Sequence, residues 1–543
     1  MAMSTDGSGS TRAPRRDNHQ ALLEALLHPR CYLHPVRQVQ RLETPMSDIF
    51  LTGKYAYKIK KPLGLQSPDF STLEKRRRFC EEELRLNRRL ASELYLGVVP
   101  ITGDPAHPRV GGEGVPIEYA VQMRQFDQAG LLDQAVPRGD LSSAQVDEIG
   151  EIIAAFHLAL PPASPDSPYG CGDTIMQRSL ENFDALLPLT RSEAERAALD
   201  WLQEWTVAQH ARHKQLFEER RRDGFVRECH GDLHLGNMVL TDARIRVFDC
   251  IEFNAHLRWI DVMNEAAFLA MDLIGHRRSD LAHRFLDRYL QVTGDYSGVR
   301  LLRYYMVYTS LVRARVATMR AAQAALDQPA AVALHEQCRT HVLLARELAE
   351  SARPVVAILH GFSGSGKTAV SQILLQTIGA IRIRSHVEHK RLHSMTRAAR
   401  SASDANHEMH TDHGSLTYAR LNELASHVLE GGFPVLVDAA FLQRARREQL
   451  RMLAQAKGVP FGILHTEASE ATLRYRLAQR ALQIADLSEA SGALLDRQLA
   501  NQEPLTEAEH LLSHSFNTEN ADPRAVATDA QEIFRGLRPL EPS

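Results

Sequence analysis

No part of the sequence approaches the ~20 consecutive apolar residues that a membrane span needs, so neither a span nor a membrane partner is expected. A net charge of one sign is also missing. The 64 basic residues face 67 acidic ones, and the balance of −3 offers no broad field for nucleic acid or an anionic surface. The six cysteines (Cys31, Cys80, Cys171, Cys229, Cys250, Cys338) contain no C-x-x-C pair, which argues against a zinc site and a disulfide framework. Met1 to Asp17 is rich in Ser, Gly and Arg without the apolar stretch of a secretory signal, and residues 1–18 read as a disordered tail. Reduced thiols and a cytoplasmic location follow as expectations. No internal repeat of solenoid period is present.

What is present divides near residue 350. Ile49 to Leu51 and Tyr55 to Ile59 read as two strands joined by Thr52-Gly53-Lys54. Ser71 to Leu96 lacks Pro and Gly and reads as an amphipathic helix, with Lys75 to Arg78 on its solvated face. Pro116 to Phe126 is strand-like, Leu141 to Leu160 helical, and Arg300 to Ala352 a helical hairpin broken near Asp327-Gln328-Pro329. From Val355 to Leu359 onward, strands alternate with helices as in an open parallel sheet.

The strand Val355 to Leu359 runs into Gly361-Phe362-Ser363-Gly364-Ser365-Gly366-Lys367-Thr368, the G-x-x-x-x-G-K-T spacing of a P-loop. Its glycines let backbone N–H groups face a β-phosphate, Lys367 reaches β- and γ-oxygens, and Thr368 is expected to ligate Mg²⁺. Asp438 ends the apolar strand of Gly432 to Leu442, where an α/β sheet places ligand-binding residues, and is expected at the metal. Ala439 follows it, where motor ATPases carry a water-activating glutamate, so a hexameric hydrolytic motor is disfavoured. Arg476 and Arg480 share a helix face four residues apart, with Asp486 to Ala490 beyond, and resemble the lid arginines of small P-loop kinases. His386 stands where nucleotide-kinase-like proteins often carry an aspartate, and is a candidate base.

A second constellation lies upstream. Glu228 to Asn237 contains H-x-D-x-x-x-x-N, and Asp249 closes a strand twelve residues after Asn237. Kinase catalytic loops have this arrangement, because phosphoryl transfer needs a carboxylate to take the hydroxyl proton and oxygen ligands for the metal that neutralises the phosphates. A metal site built from His230 and His234 is the competing reading. The loop resembles that of the aminoglycoside phosphotransferase family, His-Gly-Asp-x-His-x-x-Asn. That resemblance implies Asp232 as base, Asn237 and Asp249 as metal ligands, His230 as a structural histidine and Glu252 as the acidic residue after the metal aspartate. It also implies a phosphate-binding lysine paired with a helix glutamate. Lys58 and Lys60 share one strand face, so periodicity does not separate them. Lys58 is favoured, with Glu83 as its partner and Glu118 to Met123 as the strand against which adenine lies.

With Glu43-Thr44, Ser47, Tyr57 to Pro62 and the P-loop, the chain resembles a family of fused bacterial proteins pairing the two domain types, in which Pro45 replaces an expected histidine. The implied fold is α/β and α+β in two domains. A protein-kinase-like bilobal fold spans 19–350, with a strand-rich lobe at about 30–126 and a helical lobe at about 127–350. A P-loop NTPase parallel sheet with flanking helices follows at 351–543. The implied function is an ATP- and Mg²⁺-dependent phosphotransferase with two nucleotide sites and a small hydroxylated acceptor. The alternative is an ATP-sensing regulator in which one half is a non-catalytic nucleotide-binding module.

Overall fold

The computed structural model describes residues 13–64, 69–323, 328–351, 353–402, 413–483 and 492–537. Helix α1 (Ala13–Ala25) begins inside the segment expected to be a tail. Six strands follow: β1 (Gln40–Glu43), β2 (Ser47–Leu51), β3 (Tyr55–Lys60), β4 (Tyr95–Asp104), β5 (His107–Val110) and β6 (Pro116–Arg124), with α2 (Leu73–Ala91) between β3 and β4. They form one antiparallel sheet in the order β1-β2-β3-β6-β4-β5. Leu51 opposite Ala56 sets the register of the β2–β3 hairpin, around the expected turn. Thr72 caps α2 by accepting from the Lys75 N–H. The helix ends at Ala91, short of the expected Leu96, because Leu94 and Tyr95 turn inward and begin β4.

The helical lobe comprises α3 (Leu132–Arg138), α4 (Ser143–Ala159), α5 (Gly172–Leu186), α6 (Glu193–Arg222), α7 (Ala255–Arg258), α8 (Val262–Gly275), α9 (Ser279–Thr293), α10 (Val299–Gln323) and α11 (Gln328–Glu350). Two short ladders cross it: β7 (Val226–Glu228) with β10 (Trp259–Asp261), and β8 (Met238–Thr241) with β9 (Arg244–Val247). Helix α8 is buried on almost every side, as its apolar sequence requires. Helices α10 and α11 flank residues 324–327, so Asp327 of the expected break lies outside the described residues, and Pro329 stands in the first turn of α11.

The last part is a five-stranded, wholly parallel sheet in the order β12-β13-β11-β14-β15. Its strands are β11 (Val356–His360), β12 (Ile381–Arg384), β13 (Val435–Asp438), β14 (Phe461–Glu467) and β15 (Ser513–Asn517). The helices are α12 (Lys367–Ile378), α13 (Ser385–Ala402), α14 (His413–Glu430), α15 (Arg444–Ala456), α16 (Glu470–Gln483), α17 (Gly492–Asn501), α18 (Glu507–His510) and α19 (Pro523–Gly536). All five residues of β11 are buried, as expected of a central parallel strand covered on both faces. Ala357, Leu359, Leu436 and Leu464 point toward α12 and α19, whereas Val356, Ile358, Ile381, Ile383, Val435, Val437 and Ile463 belong to one apolar cluster shared with α8, α9 and α10. The two domains therefore have a common core.

One buried ion pair crosses this joint. Arg382 on β12 reaches Asp287 on α9 through two hydrogen bonds, at 3.1 and 2.6 Å. The same guanidinium donates at 2.8 Å to both Ser371 Oγ and Gln372 Oε1 on α12, the helix that follows the P-loop. Tyr296 donates to the Arg382 carbonyl at 3.2 Å, and Arg384 to Gln291 at 3.1 Å. Removing one partner of a buried pair strands the other, so Arg382→Ala is expected to destabilise the chain by about 3–5 kcal/mol in urea denaturation. Adding Asp287→Leu should recover part of that loss.

His283 on α9 packs its ring against Gly379, the left-handed C-cap of α12 (φ +70°), and has a buried Nδ1 with no hydrogen-bond partner. Burial lowers its pKa to about 4, against a weaker raising effect of Asp280. The unfolded chain binds this proton more readily, so the stability present above pH ~6.5 is lost as pH falls toward 4. Urea midpoints measured across that window should drop for the wild type and fall less steeply for His283→Gln.

Candidate active sites

The first site is built where β3, α2 and the segment after β9 converge. Lys58 is paired with Asp249 and lies 2.8 Å from Glu83 Oε1, while Lys60 is paired with Glu83 and with Glu252. Glu83 is fully buried and shared by both lysines. Burial would raise its pKa, but the two ammonium groups outweigh it and hold the carboxyl down at about 2. Burial would lower the Lys58 pKa, and Asp249 and Glu83 reverse that, holding it well above the usual lysine value. Depth separates the lysines: Lys58 lines a cleft of about 560 Å³ between the lobes, whereas Lys60 is 1% exposed and does not line it. Glu252 closes the inner end of the network.

The catalytic-loop motif folds as a tight segment from Cys229 to Asn237. Gly231 has φ +90°, and a Cβ there would stand 2.8 Å from the Leu257 carbonyl, so only glycine fits. His230 donates from Nε2 to the Phe248 carbonyl at 2.8 Å and accepts the Asp232 N–H at Nδ1 at 3.3 Å. His234 accepts the Gly236 N–H at 3.1 Å and holds Nε2 3.4 Å from Asp232 Oδ2. Both nitrogens of each histidine are thus engaged within the protein, which overturns the reading of His230 and His234 as a metal pair. Asn237 donates to the Asp232 carbonyl at 2.9 Å and to Asp232 Oδ2 at 3.1 Å, leaving its amide oxygen toward the cleft side of the loop.

Asp232 opens to the cleft with 36% of its side chain exposed. Desolvation by the walls would raise its pKa, but His234, Arg313 and His230 outweigh it and hold it at about 2. Asp249 adopts φ 63°, an unfavourable backbone state for an aspartate that costs about 1–3 kcal/mol. Tyr95 Oη accepts its N–H at 3.1 Å, and Asn87 Oδ1 accepts the next N–H at 2.9 Å. The strained turn is therefore fixed from the strand-rich lobe. Asp232, Asn237, Asp249, Lys58 and Glu252 all line the one cleft.

Sequence reasoning missed what supports this loop. Glu265 and Asp272 on α8 accept the Gly231 N–H at 2.6 Å and the Leu235 N–H at 2.8 Å, and His157 bridges Glu265 Oε2 at 2.7 Å to the Tyr289 hydroxyl at 2.9 Å. The available signal was two carboxylates seven residues apart, on one face of an otherwise apolar helix. The close set His157, Cys229 and Glu265 belongs to this scaffold, since both His157 nitrogens already have protein partners. Glu118 to Met123 lies inside β6, paired with β3 and β4, and Glu118 is 2% exposed on Arg76. The crossing between lobes is instead residues 125–131. Thr44 to Ser47 forms the turn over the cleft, with Pro45 removing one backbone donor there.

In the second site, Gly361, Gly364 and Gly366 have φ of +146°, +87° and +84°, and Cβ atoms at all three would crowd Thr466, the Leu473 carbonyl or Thr518. Lys367 curls back to the Gly361 and Phe362 carbonyls at 2.8 and 2.6 Å. Burial lowers its pKa to about 8, with Asp438 opposing and Arg480 adding to the shift. Asp438 Oδ2 lies 3.4 Å from both Thr368 Oγ1 and Ser371 Oγ, and 3.6 Å from Arg384 Nε. Ser365 donates or accepts with Thr466 at 2.6 Å, and Ser363 exchanges bonds with Gln498 at 2.9 and 3.0 Å. Arg476 is committed to the Gly364 carbonyl at 3.2 Å and to Thr518 at 3.0 and 2.8 Å, where it braces the P-loop, whereas Arg480 is exposed. Residues 486–490 of the expected lid lie outside the described residues. Burial and Arg384 lower the His386 pKa to about 4, so its ring is neutral at pH 7.

Comparison with known proteins follows the same division. Residues 73–302 match the phosphotransferase enzyme family and residues 356–505 match an AAA domain. The uncharacterized proteins Rv2004c of Mycobacterium tuberculosis and Mb2027c of Mycobacterium bovis are each 30% identical over 353 residues, covering 64% of this chain and 68% of theirs. The chain belongs to their family. This chain pairs a phosphotransferase-family domain with a P-loop kinase-like domain. Among solved structures, a gluconokinase from Sinorhizobium meliloti is 21% identical over 34% of this chain and 92% of its own (TM-score 0.24). A choline/ethanolamine kinase family protein from Mesorhizobium loti is 14% identical over 60% and 98% (TM-score 0.35).

The two lysines should respond differently to truncation. Lys60→Ala leaves Glu252 buried without its cation and is expected to cost about 3–5 kcal/mol in urea denaturation. Lys58→Ala exposes its loss to the cleft beside the 43% exposed Asp249 and should cost clearly less.

Proposed function

We propose that the chain is an ATP-dependent phosphotransferase with two nucleotide sites, and that the kinase-like cleft transfers the γ-phosphoryl group to a hydroxyl of a small molecule. The observation that carries this reading is the convergence of Lys58, Asp232, Asn237 and Asp249 on one cleft, with Glu83 holding the lysine. In this reading Asp232 accepts a hydrogen bond from the acceptor hydroxyl and orients its oxygen toward the γ-phosphorus. As the new P–O bond forms, the bond to the β,γ-bridging oxygen breaks, ADP leaves and the hydroxyl proton passes to Asp232. A carboxylate held near pKa 2 is a weak base, which suits a loose transition state in which the proton moves late.

Lys58 is placed to bind the α- and β-phosphates. The donor set fits Mg²⁺, a hard cation that takes oxygen ligands: the Asn237 amide oxygen is left over once its NH₂ is spent on Asp232, and Asp249 keeps one carboxylate oxygen beyond Lys58. The metal supplies positive charge against the polyphosphate. In the P-loop half, Lys367 would leave its carbonyl partners for the β- and γ-phosphates, with Thr368 and Asp438 at the metal. Arg480 is free to approach from α16. That half is of small-molecule or nucleotide-kinase type, and His386 would serve as its base. A cytoplasmic setting accords with these substrates.

Calorimetric titration with ATP and Mg²⁺ is expected to give two sites per chain, falling to one in Lys367→Ala. Acceptor-dependent ADP release should drop at least about a hundredfold in Asp232→Asn. One site in the wild type, unchanged by Lys367→Ala, would refute the second nucleotide site. Two sites with acceptor-dependent turnover insensitive to both substitutions would favour the regulatory alternative over the two-enzyme reading.

A further inference from the structure

Buried arginines in this protein generally meet carboxylates. Arg76 sits on Glu118, Arg220 on Asp261 and Asp295, Arg258 on Glu82 and Glu228, and Arg382 on Asp287. Arg178 and Arg313, half-buried arginines of the kinase-like cleft, do not pair in this way. Arg178 on α5 and Arg313 on α10 both line the cleft, and among the described residues neither has a carboxylate within ion-pair distance. Arg178 makes one bond, to the His256 carbonyl at 3.3 Å. Arg313 has a buried Nε with no hydrogen-bond partner, although burying such a group unpaired is costly.

Four of the acidic groups lining the same cleft are committed elsewhere. Asp249 pairs with Lys58, Glu252 with Lys60, Asp261 with Arg220, and Glu265 with His157 and the Gly231 N–H. Asp133, the other acidic side chain of the lining besides Asp232, lies near Gly236 on the loop and has a buried Oδ1 with no hydrogen-bond partner. Arg178 and Arg313 remain without ion-pair partners among the described residues, and their planar, forked donors have the geometry that suits carboxylate or phosphate oxygens. Arg313 is also near enough to Asp232 to stabilise its charge. An ammonium-bearing acceptor would meet two guanidinium groups without ion-pair partners there.

We propose that Arg178 and Arg313 bind an oxyanion, carboxylate or phosphate, carried by the acceptor, so that the cleft phosphorylates a hydroxyl of an anionic molecule such as a hydroxy acid or sugar phosphate. This rests on the phosphotransferase reading for the word acceptor, but the anion site itself does not need turnover. The test uses one carbon skeleton with graded charge: glucose 6-phosphate, gluconate, glucose and glucosamine. Each is titrated calorimetrically into the full-length Asp232→Asn protein with the non-hydrolysable analogue AMP-PNP and Mg²⁺, and each is offered to the wild type with ATP while ADP is followed.

The expected result is that glucose 6-phosphate or gluconate binds at millimolar concentration or below while glucose and glucosamine do not, with the preferred anion telling phosphate from carboxylate. Arg313→Gln and Arg178→Gln, each added to Asp232→Asn, should weaken that binding about tenfold to a hundredfold, the range for a hydrogen bond to a charged group. The affinity for AMP-PNP should stay unchanged. Absence of binding by both anions, equal binding of glucosamine, or anion affinities unmoved by both arginine substitutions would overturn the proposal. Anion binding that depends on Arg313, without ADP formation by the wild type, would keep the anion site and refute the phosphotransferase reading instead.

Discussion

Everything in the kinase-like half hangs on the shared carboxylate of Glu83. Two lysines cannot be buried side by side without it, and it cannot be buried without them, because an uncompensated charge in a protein interior costs several kcal/mol. Each lysine then carries the interaction on to a different place, Lys58 to Asp249 and Lys60 to Glu252. One helix of the small lobe, one strand and the turn after β9 are thereby fixed to one another by charge pairing instead of by apolar contact. The turn holds Asp249 in a left-handed conformation that only such over-determination sustains. The geometry of the cleft-lining groups is a consequence of charge pairing directly behind them.

The loop bearing Asp232 is held in a parallel way from the other side. Glu265 and Asp272 on α8 accept its backbone N–H groups, and α8 is itself locked by apolar packing on nearly every face. The small lobe thus positions the residues assigned to the nucleotide, and the helical lobe those assigned to the acceptor. The latches between the lobes, Arg85 and Arg89 on Glu228 and Arg258 on Glu82, are also ionic.

How much of this could be read from the sequence depended on how local the constraint was. The P-loop and the loop from His230 to Asn237 were legible because backbone geometry forces glycine at set spacings and leaves the chemistry-bearing residues beside them. Lys58 and Lys60 were not separable, since a strand points both to one side; the structure distinguishes them by depth and by their second partners. The helix expected to reach Leu96 stops at Ala91 because Leu94 and Tyr95 are needed in the core, and β4 was hidden by Gly97, Pro100 and the bulge after Tyr95. Glu118 to Met123 lies within β6, interior to its sheet, and the crossing to the helical lobe comes after it. Arg178 and Arg313 were invisible as a pair. They come from helices more than a hundred residues apart, and their significance lies in partners that are missing, which no motif records.

The common core has a mechanical consequence. Strand β12 and helix α12 pack directly on α9, and β12 shares one apolar cluster with it, pinned by Arg382 and Asp287, so the two halves do not swing about a flexible tether. Packed layers of this kind yield only by shear, in small sliding steps that keep side chains interdigitated. The outlying layers rest on smaller clusters, the β1–β6 sheet at one end, joined there by Val239 of β8, and α16 with α17 at the other. The molecule is one continuous spine with a smaller layer at each end.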